Sequence, residues 1–565
     1  RGRMRAPPFL LPLFVLVASA RATGGDTPHY TLRYDAARRT MQVALCLGDA
    51  APRVRFSGDA DAAPYLGKPT RERAPPLLRD GDGWVAAGWQ AGECLHYRAA
   101  LGRLAAAQRH RGVALPSDTV ITDPQQWLLQ VADATAADVR VELPDGYAIS
   151  TPWQPLPQDR GMARFRIART PADWLARVAI GRFAETPIAL DGGTLHVAVL
   201  GKPEPARRAR LLAWLRRVAQ AALSAYGHLP LPDVQVLVVP VGAQREAVVF
   251  GQSTRGQGNA LTLFVDPARS AGAFDRGWVA VHELSHLFHP YLGDRGAWLA
   301  EGLATYYQNV LRARAGLLTP GQAWAALNDG FTRGRRDLRG DSTLEAASAR
   351  MGEQHDFQRI YWSGAAYWLA VDVELRRASA NRLGIDEALR RFGACCLPSG
   401  RRWAPDEFVA RLDTLIGRDA FSKTFRDYRV RRDFPDLDAL YAALGIRRDG
   451  DALRFDERAR DADIRRAIMH ENGRHAVSRG AVARRPAVAP PRRPATGGRL
   501  RQFKSNRDSV ADVTHGRGGA CATAGMGSDR APESPAGEAA VPVATPFGAW
   551  MTRRATCASR PRRRG

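Results

Sequence analysis

The segment His282-Glu283-Leu284-Ser285-His286 contains two histidines four residues apart and a glutamate directly after the first histidine. Residues four apart share one face of an α-helix, so both imidazoles can bind the same metal ion. Neutral imidazole is a good zinc ligand, and Glu283 lies where it can reach a water at the metal, the place for a general base. The pattern predicts His282 and His286 as zinc ligands and Glu283 as the base. The alternative is a pair of ordinary helix histidines.

A third ligand is expected because catalytic zinc takes three protein ligands and keeps one open position. Glu301 lies in an otherwise apolar helix predicted over 297–314. A buried carboxylate is costly unless it is paired or bound to a metal. We therefore predict one zinc ion per chain with Glu301 as the third ligand. Asp294 and His289 are the rival ligands, although the loop position of Asp294 favours a helix cap or turn.

The surrounding patterns predict the elements that position these residues. Period-two alternation between turn residues over about 27–185 predicts an antiparallel β-sandwich, assigned to 23–187. An α/β unit follows over 188–315, with strands near 195–199, 234–241 and 260–265 and helices over 206–226, 274–289 and 297–314. Residues 316–466 indicate a helical domain.

The two ends of the chain differ from its middle. Arg1, Arg3 and Arg5 precede an apolar run over 9–18 and an A-x-A site, which predicts a signal peptide over 1–22. The expected location is periplasmic or secreted, without stable membrane insertion after cleavage, and the alternative is an N-terminal membrane anchor. Residues 467–565 are rich in Arg, Ala, Pro and Gly without periodicity, which is typical of disorder or of translation beyond the true reading frame.

The net charge of +25 over 565 residues invites comparison with nucleic-acid-binding proteins. However, only four of the 82 basic residues are Lys, a bias typical of GC-rich coding. Residues 471–565 hold 18 basic and 6 acidic residues and so carry about half of the charge. No nucleic-acid partner is expected, and the apolar fraction of 45% excludes a wholly disordered chain.

Export would allow the cysteines to oxidise. Cys46 and Cys94 lie in the same β-rich region and are predicted to pair. Cys395 and Cys396 are adjacent and are not expected to pair with each other, which leaves a partner elsewhere or buried thiols. The remaining two, Cys521 and Cys557, lie in the tail.

The motif and the helix after it, Trp298-Leu299-Ala300-Glu301-Gly302-Leu303-Ala304-Thr305-Tyr306-Tyr307, resemble the gluzincin metallopeptidases. The likeness is greatest to the glycyl aminopeptidase family, which is related to the aminopeptidase-N family, and residues 361–367 resemble its Tyr-x-x-Gly-Ala helix. The resemblance implies a multidomain α+β fold: an N-terminal β-sandwich, a thermolysin-like α/β zinc-peptidase core and a C-terminal α-helical domain, followed here by the disordered tail. It also implies that Tyr361 donates a hydrogen bond to the tetrahedral oxyanion. The alternatives for Tyr361 are an ordinary core aromatic, or Tyr367 in its place.

The predicted function is that of an exported zinc metallopeptidase acting on a peptide or protein substrate. The alternative is a catalytically silent gluzincin-like protein that binds a periplasmic protein or a cell-wall partner. Only 14 residues separate His286 from Glu301, fewer than in familiar gluzincins, and no Gly-x-Met-x-Asn motif occurs. The strand near 260–265 could take a peptide by edge pairing, although no residue there indicates recognition of a free amine. Aminopeptidase or endopeptidase specificity and the oligomeric state stay open.

Overall fold

The computed structural model describes residues 27–470, apart from 59, 72–74, 82, 108–112, 114, 160 and 451. The predicted signal peptide, nearly all of the predicted tail, Cys521 and Cys557 lie outside the described residues. The strands are β1 (His29–Asp35), β2 (Thr40–Cys46), β3 (Ala51–Ser57), β4 (Thr70–Arg71), β5 (Leu78–Asp80), β6 (Gly83–Trp89), β7 (Cys94–Ala99), β8 (Val120–Thr122), β9 (Gln130–Val131), β10 (Ala136–Glu142), β11 (Ala148–Ser150), β12 (Gln154–Asp159), β13 (Met162–Ala168), β14 (Val178–Gly181), β15 (Glu185–Leu190), β16 (Gly193–Val199), β17 (Asp233–Pro240), β18 (Val248–Thr254), β19 (Ala260–Val265), β20 (Ile446–Asp449) and β21 (Ala452–Phe455).

The α-helices are α1 (Leu101–Ala107), α2 (Pro205–Tyr226), α3 (Ala271–Arg276), α4 (Val279–Ser285), α5 (Ala297–Arg314), α6 (Pro320–Arg336), α7 (Leu344–Ala349), α8 (Met351–Gln354), α9 (Phe357–Ala378), α10 (Ile385–Cys396), α11 (Pro405–Ile416), α12 (Ala420–Arg429), α13 (Asp438–Leu444) and α14 (Ala462–Met469). Short 3-10 turns lie at Ala60–Tyr65, Pro124–Gln126, His286–Phe288 and Asp294–Gly296.

The N-terminal region is rich in β-structure, as its alternating pattern predicts. Tyr30, Leu32 and Tyr34 are buried on one face of β1. A seven-stranded sheet has the order β12-β13-β10-β1-β2-β7-β4, and smaller sheets have the orders β5-β6-β3-β9 and β11-β14-β8. All three sheets contribute side chains to one apolar core. The pairing is antiparallel except between β1 and β10, which are parallel, so the all-antiparallel expectation is wrong at that pair.

Two disulfides are present among the described residues. Cys46 and Cys94 are register partners at the ends of β2 and β7 and are bonded, which confirms the predicted pair. Cys395 and Cys396 are bonded to each other, so the expectation that they do not pair is wrong. Both residues lie at the C-terminal end of α10. Cys396 is the last residue of α10 and Leu397 is extended, so the pair lies where the regular helix ends and its geometry no longer holds both side chains apart.

A five-stranded sheet with the order β15-β16-β17-β19-β18 lies at the centre of the chain. Strands β16, β17 and β19 are parallel, whereas β18 runs antiparallel to β19. One face packs against the helices, including α2, α4 and α5, and the other packs against the N-terminal region. Burial on both faces explains the continuous apolar runs of β17 and β19.

This strand order shows which strand has an edge that a peptide could pair with. The strand near 260–265 is β19, and it lies between β17 and β18 with hydrogen-bonded partners on both sides. It has no free edge for a peptide, so the edge pairing predicted for it is wrong. The edge strand is β18. An apolar run does not reveal whether a strand lies inside a sheet or at its edge.

The predicted helix over 274–289 is divided in two. Gly277 has an extended conformation and separates α3 from α4. After Ser285 the chain tightens into the 3-10 turn His286–Phe288, and His289 is extended because it precedes Pro290. The HExxH segment therefore spans a short α-helix and the turn that ends it.

Helices make up most of the chain after residue 296. Helices α5 and α9 cross where Gly302 faces Gly364. A hairpin of β20 and β21 interrupts the helical region, which the sequence did not predict. Helix α14 continues past residue 466, with Ile468 and Met469 buried. Within the part of the chain that the structure describes, no helix is both long and apolar enough to cross a membrane.

Candidate metal centre

Two helices bring three metal-binding side chains to one point. His282 lies on α4, His286 begins the turn that follows it, and Glu301 lies on α5. Glu301 Oε2 is 3.2 Å from His282 Nε2 and 3.6 Å from His286 Nε2. One ligand atom from each residue lies within 4.8 Å of the other two. The structure therefore brings together the two predicted histidines and the predicted carboxylate.

The Nδ1 atoms of His282 and His286, which point away from Glu301, have hydrogen-bond partners. His282 Nδ1 lies 2.9 Å from Gln308 Oε1, and His286 Nδ1 lies 3.0 Å from His289 Nε2. These bonds leave both Nε2 atoms facing Glu301. Two imidazole nitrogens and a carboxylate oxygen form a donor set that suits zinc, and partners on the other ring nitrogens are usual at such sites. The residues present therefore fit a zinc ion.

The charges at this point favour an ionised carboxylate. Burial acts to raise the pKa of Glu301, but His286 and His282 outweigh it and hold that pKa well below its usual range. Burial acts to lower the pKa of His282, yet the hydrogen bond to Glu301 and the negative charges of Glu301 and Glu283 leave that pKa raised. Glu301 is thus held as an anion, the form that binds a cation.

Glu283 is buried, and the edge strand holds its carboxylate. Ser253 Oγ on β18 lies 2.9 Å from Glu283 Oε2 and 2.7 Å from the Glu283 backbone oxygen. A Cβ atom at Gly251 would lie 2.5 Å from Glu283 Cγ, so only glycine allows the strand to come this close. Sequence reasoning missed Ser253 and Gly251, because no spacing linked β18 to the motif.

Tyr361 lies at the same site. It is buried on α9, and its ring is stacked on that of His282 with 6.2 Å between centroids. Burial raises the pKa of Tyr361 well above its ordinary value, and the charges of Glu301 and Glu283 raise it further. The phenol therefore keeps its proton and can donate it in a hydrogen bond.

The rival residues have other contacts. Tyr367 donates from its hydroxyl to the Phe421 carbonyl at 3.1 Å, in the helical core. Asp294 begins a 3-10 turn, and its backbone carbonyl accepts a hydrogen bond from Ser348. His289 contacts His286 but is not among the three residues whose ligand atoms converge.

Comparisons with known proteins find a matching family model and similar folds. Residues 279–366 match the model of the M61 glycyl aminopeptidase family. An aminopeptidase N family protein from Idiomarina loihiensis has a similar fold, with a TM-score of 0.57, 16% identity and coverage of 74% of this chain and 78% of that one. An M1 zinc metallopeptidase from Deinococcus radiodurans has a TM-score of 0.46 and 16% identity, with coverage of 73% of this chain and 95% of that one. A mutant of an M1 zinc metallopeptidase from the same organism, bound to a Tyr-Ser-Ala substrate, has a TM-score of 0.46 and 16% identity, with coverage of 73% of this chain and 96% of that one.

No curated protein matches the chain. The family match spans residues 279–366, and all five predicted site residues lie inside it: His282, Glu283, His286, Glu301 and Tyr361. The predicted resemblance is therefore confirmed: residues 279–366 are similar to the M61 glycyl aminopeptidase family, and the chain shares the fold of an aminopeptidase N family protein.

Proposed function

We propose that this chain is an exported enzyme that hydrolyses peptide bonds with one zinc ion held by His282, His286 and Glu301. The observation that carries the proposal is the convergence of these three ligand atoms, within 4.8 Å of one another, beside the carboxylate of Glu283. Export to the periplasm or the medium rests on the signal peptide predicted over 1–22. The proposed core is thermolysin-like.

Zinc in such a site supplies a Lewis acid that polarises a peptide carbonyl and acidifies water. Glu283 would act as the general base: its carboxylate accepts a proton from the attacking water and passes that proton to the leaving amine. Ser253 can donate a hydrogen bond to Oε2 and so fix the orientation of the carboxylate.

Tyr361 would stabilise the oxyanion that develops on the scissile carbonyl. Its buried, protonated hydroxyl is a fixed donor, and fixed donors at a developing charge lower the barrier to reaction. The Tyr361 ring lies nearly parallel to that of His282, with 6.2 Å between centroids, so the phenol lies beside a proposed zinc ligand.

The substrate would bind along β18. This strand is the last in the sheet order, so one edge of its backbone pairs with no other strand of the described residues and can accept an extended peptide. Gly251 and Ser253 place this strand directly against Glu283. A peptide added to β18 would therefore cross the site within reach of the base.

A free amino terminus is not required in this proposal. Arg255 directly follows β18, and its Nη2 donates to the carbonyl of His289 at 3.1 Å and also to that of His286. This positive charge lies beside the HExxH segment and disfavours a substrate ammonium group next to it. Two carboxylates, those of Glu301 and Glu283, act electrostatically on Arg255. Glu301 contacts both histidines and Glu283 contacts Ser253, so in this proposal neither serves as an anchor for a substrate amine.

We accordingly expect N-terminal acetylation of a cleaved peptide to leave kcat/KM unchanged or to raise it. The measurement compares acetylated and free forms of one sequence, chosen from a peptide-library profile with a chelator control. An amidated carboxyl terminus on the same peptide is the matched control for the other end. Loss of cleavage on acetylation would show that the enzyme is an aminopeptidase and contradict this expectation.

The metal is tested directly. Purified protein should hold about one zinc per chain, and Glu301→Gln should hold much less, because a neutral amide replaces the anionic ligand. Glu353→Gln, an exposed substitution on α8, should keep the wild-type zinc content. Wild-type protein with less than about half an equivalent after zinc loading would favour the catalytically silent alternative.

A further inference from the structure

We propose that His289 is a positioning residue of the zinc site, which fixes the tautomer and the ring orientation of His286 without binding the metal itself. The inference rests on the zinc site proposed above. It gives a role to the third histidine of this segment, which the sequence offers only as a rival ligand.

A chain of hydrogen bonds leads away from the site through His289. His286 Nδ1 lies 3.0 Å from His289 Nε2, and His289 Nδ1 lies 2.7 Å from the Pro290 carbonyl oxygen. A carbonyl oxygen can only accept, so His289 Nδ1 carries the hydrogen of that bond. In the neutral ring, His289 Nε2 is then an acceptor.

The direction of the second bond follows from the first. Since His289 Nε2 accepts, His286 Nδ1 must donate, and its hydrogen is fixed on that nitrogen. His286 Nε2 is left with its lone pair, on the side that faces Glu301 Oε2 at 3.6 Å. A metal ion binds such a lone pair, so His289 selects the tautomer that can act as a ligand.

The position of His289 is itself held firmly. The residue is buried, and Arg255 donates to its carbonyl oxygen at 3.1 Å and to the carbonyl oxygen of His286. The two imidazole rings are nearly perpendicular, at 76° with 5.3 Å between centroids. The adjacent Phe288 stacks on Tyr226 at 4.6 Å. These contacts orient the His289 ring toward Nδ1 of His286.

The two histidine ligands differ in where their support comes from. Gln308, the partner of His282, lies on α5, so that bond forms only when α5 packs against α4. His289, the partner of His286, is three residues further along the chain and belongs to the same segment. Changes at His289 should therefore act on zinc affinity without disturbing the packing of α5.

The test compares three variants of the full chain. His289→Leu removes the acceptor and should weaken zinc binding about 10- to 100-fold in a chelator competition, as is usual when such a supporting bond is lost. His289→Gln places an amide oxygen near the position of Nε2 and should recover most of that affinity. His196→Leu is the matched control: it is the same substitution on β16, at a histidine whose partners are Asp233 and Glu185, and it should leave zinc affinity unchanged.

A second measurement needs no variant. In metal-free wild-type protein labelled with ¹⁵N-histidine, NMR should find the His286 hydrogen on Nδ1. A hydrogen on Nε2 would overturn the proposal, as would a folded His289→Leu variant with wild-type zinc affinity. Wild-type protein that binds no zinc would instead overturn the proposed function. Wild-type zinc binding with unchanged affinity in His289→Leu would overturn only the role of His289.

Discussion

Replacement of Glu283 by glutamine is expected to abolish peptide hydrolysis while the protein keeps its zinc. The amide has nearly the same size and can still contact Ser253, but it cannot accept a proton from water. General-base catalysis typically raises the rate about 10²- to 10⁴-fold, so kcat/KM should fall by at least about 10²-fold. Glu283 is not one of the three converging ligands, so the zinc content should stay near one equivalent.

The measurement is kcat/KM on a peptide from the library profile, together with zinc content by elemental analysis. Glu353→Gln introduces the same chemical change at an exposed position and should retain full activity. Glu301→Gln separates the two roles, since it should lose the metal. Activity of Glu283→Gln within a few-fold of wild type would refute Glu283 as the base, and loss of its zinc would indicate a ligand role instead.

Replacement of Gly364 by alanine should damage both the fold and the site. A Cβ atom there would lie 1.9 Å from the Trp298 carbonyl oxygen and 2.7 Å from Gly302 Cα, so α9 would have to move away from α5. Overpacking of this kind costs about 1–3 kcal/mol. Gly302 follows Glu301, and Tyr361 lies one turn before Gly364. A shift of about 1 Å between reacting groups can cost about 10²-fold in rate, so kcat/KM should fall as well.

Gly321→Ala is the matched control, since it is the same substitution near the start of α6. A Cβ atom there would meet nothing closer than 3.8 Å, and alanine is the better helix former. Thermal unfolding and kcat/KM should therefore stay close to wild type in this control. A Gly364→Ala protein with an unchanged midpoint and unchanged activity would show that the α5–α9 crossing does not position the site.

The parts of the fold that follow from local pattern were predictable. Helix 297–314 agrees with α5, strand 260–265 agrees with β19, and helix 206–226 agrees with α2 to within one residue. The two helices are long and periodic, and the strand is a short apolar run between Gly258 and Pro267. The division of the helix over 274–289 was not predicted, because glycine at position 277 permits a helix as well as a break.

The sequence by itself determined which residues are proposed to bind the metal. Spacing of four residues on a helix puts His282 and His286 on one face, and an acidic residue in an apolar helix needs a partner; both are properties of single segments. The tertiary structure decided which residues support that chemistry. Strand order made β18 the edge strand and brought Ser253 to Glu283, and the close crossing of α5 and α9 brought Tyr361 to His282. The fold of the chain after Phe288 made His289 a partner of His286. Contacts between segments depend on how sheets and helices pack, and no periodicity within one segment records them.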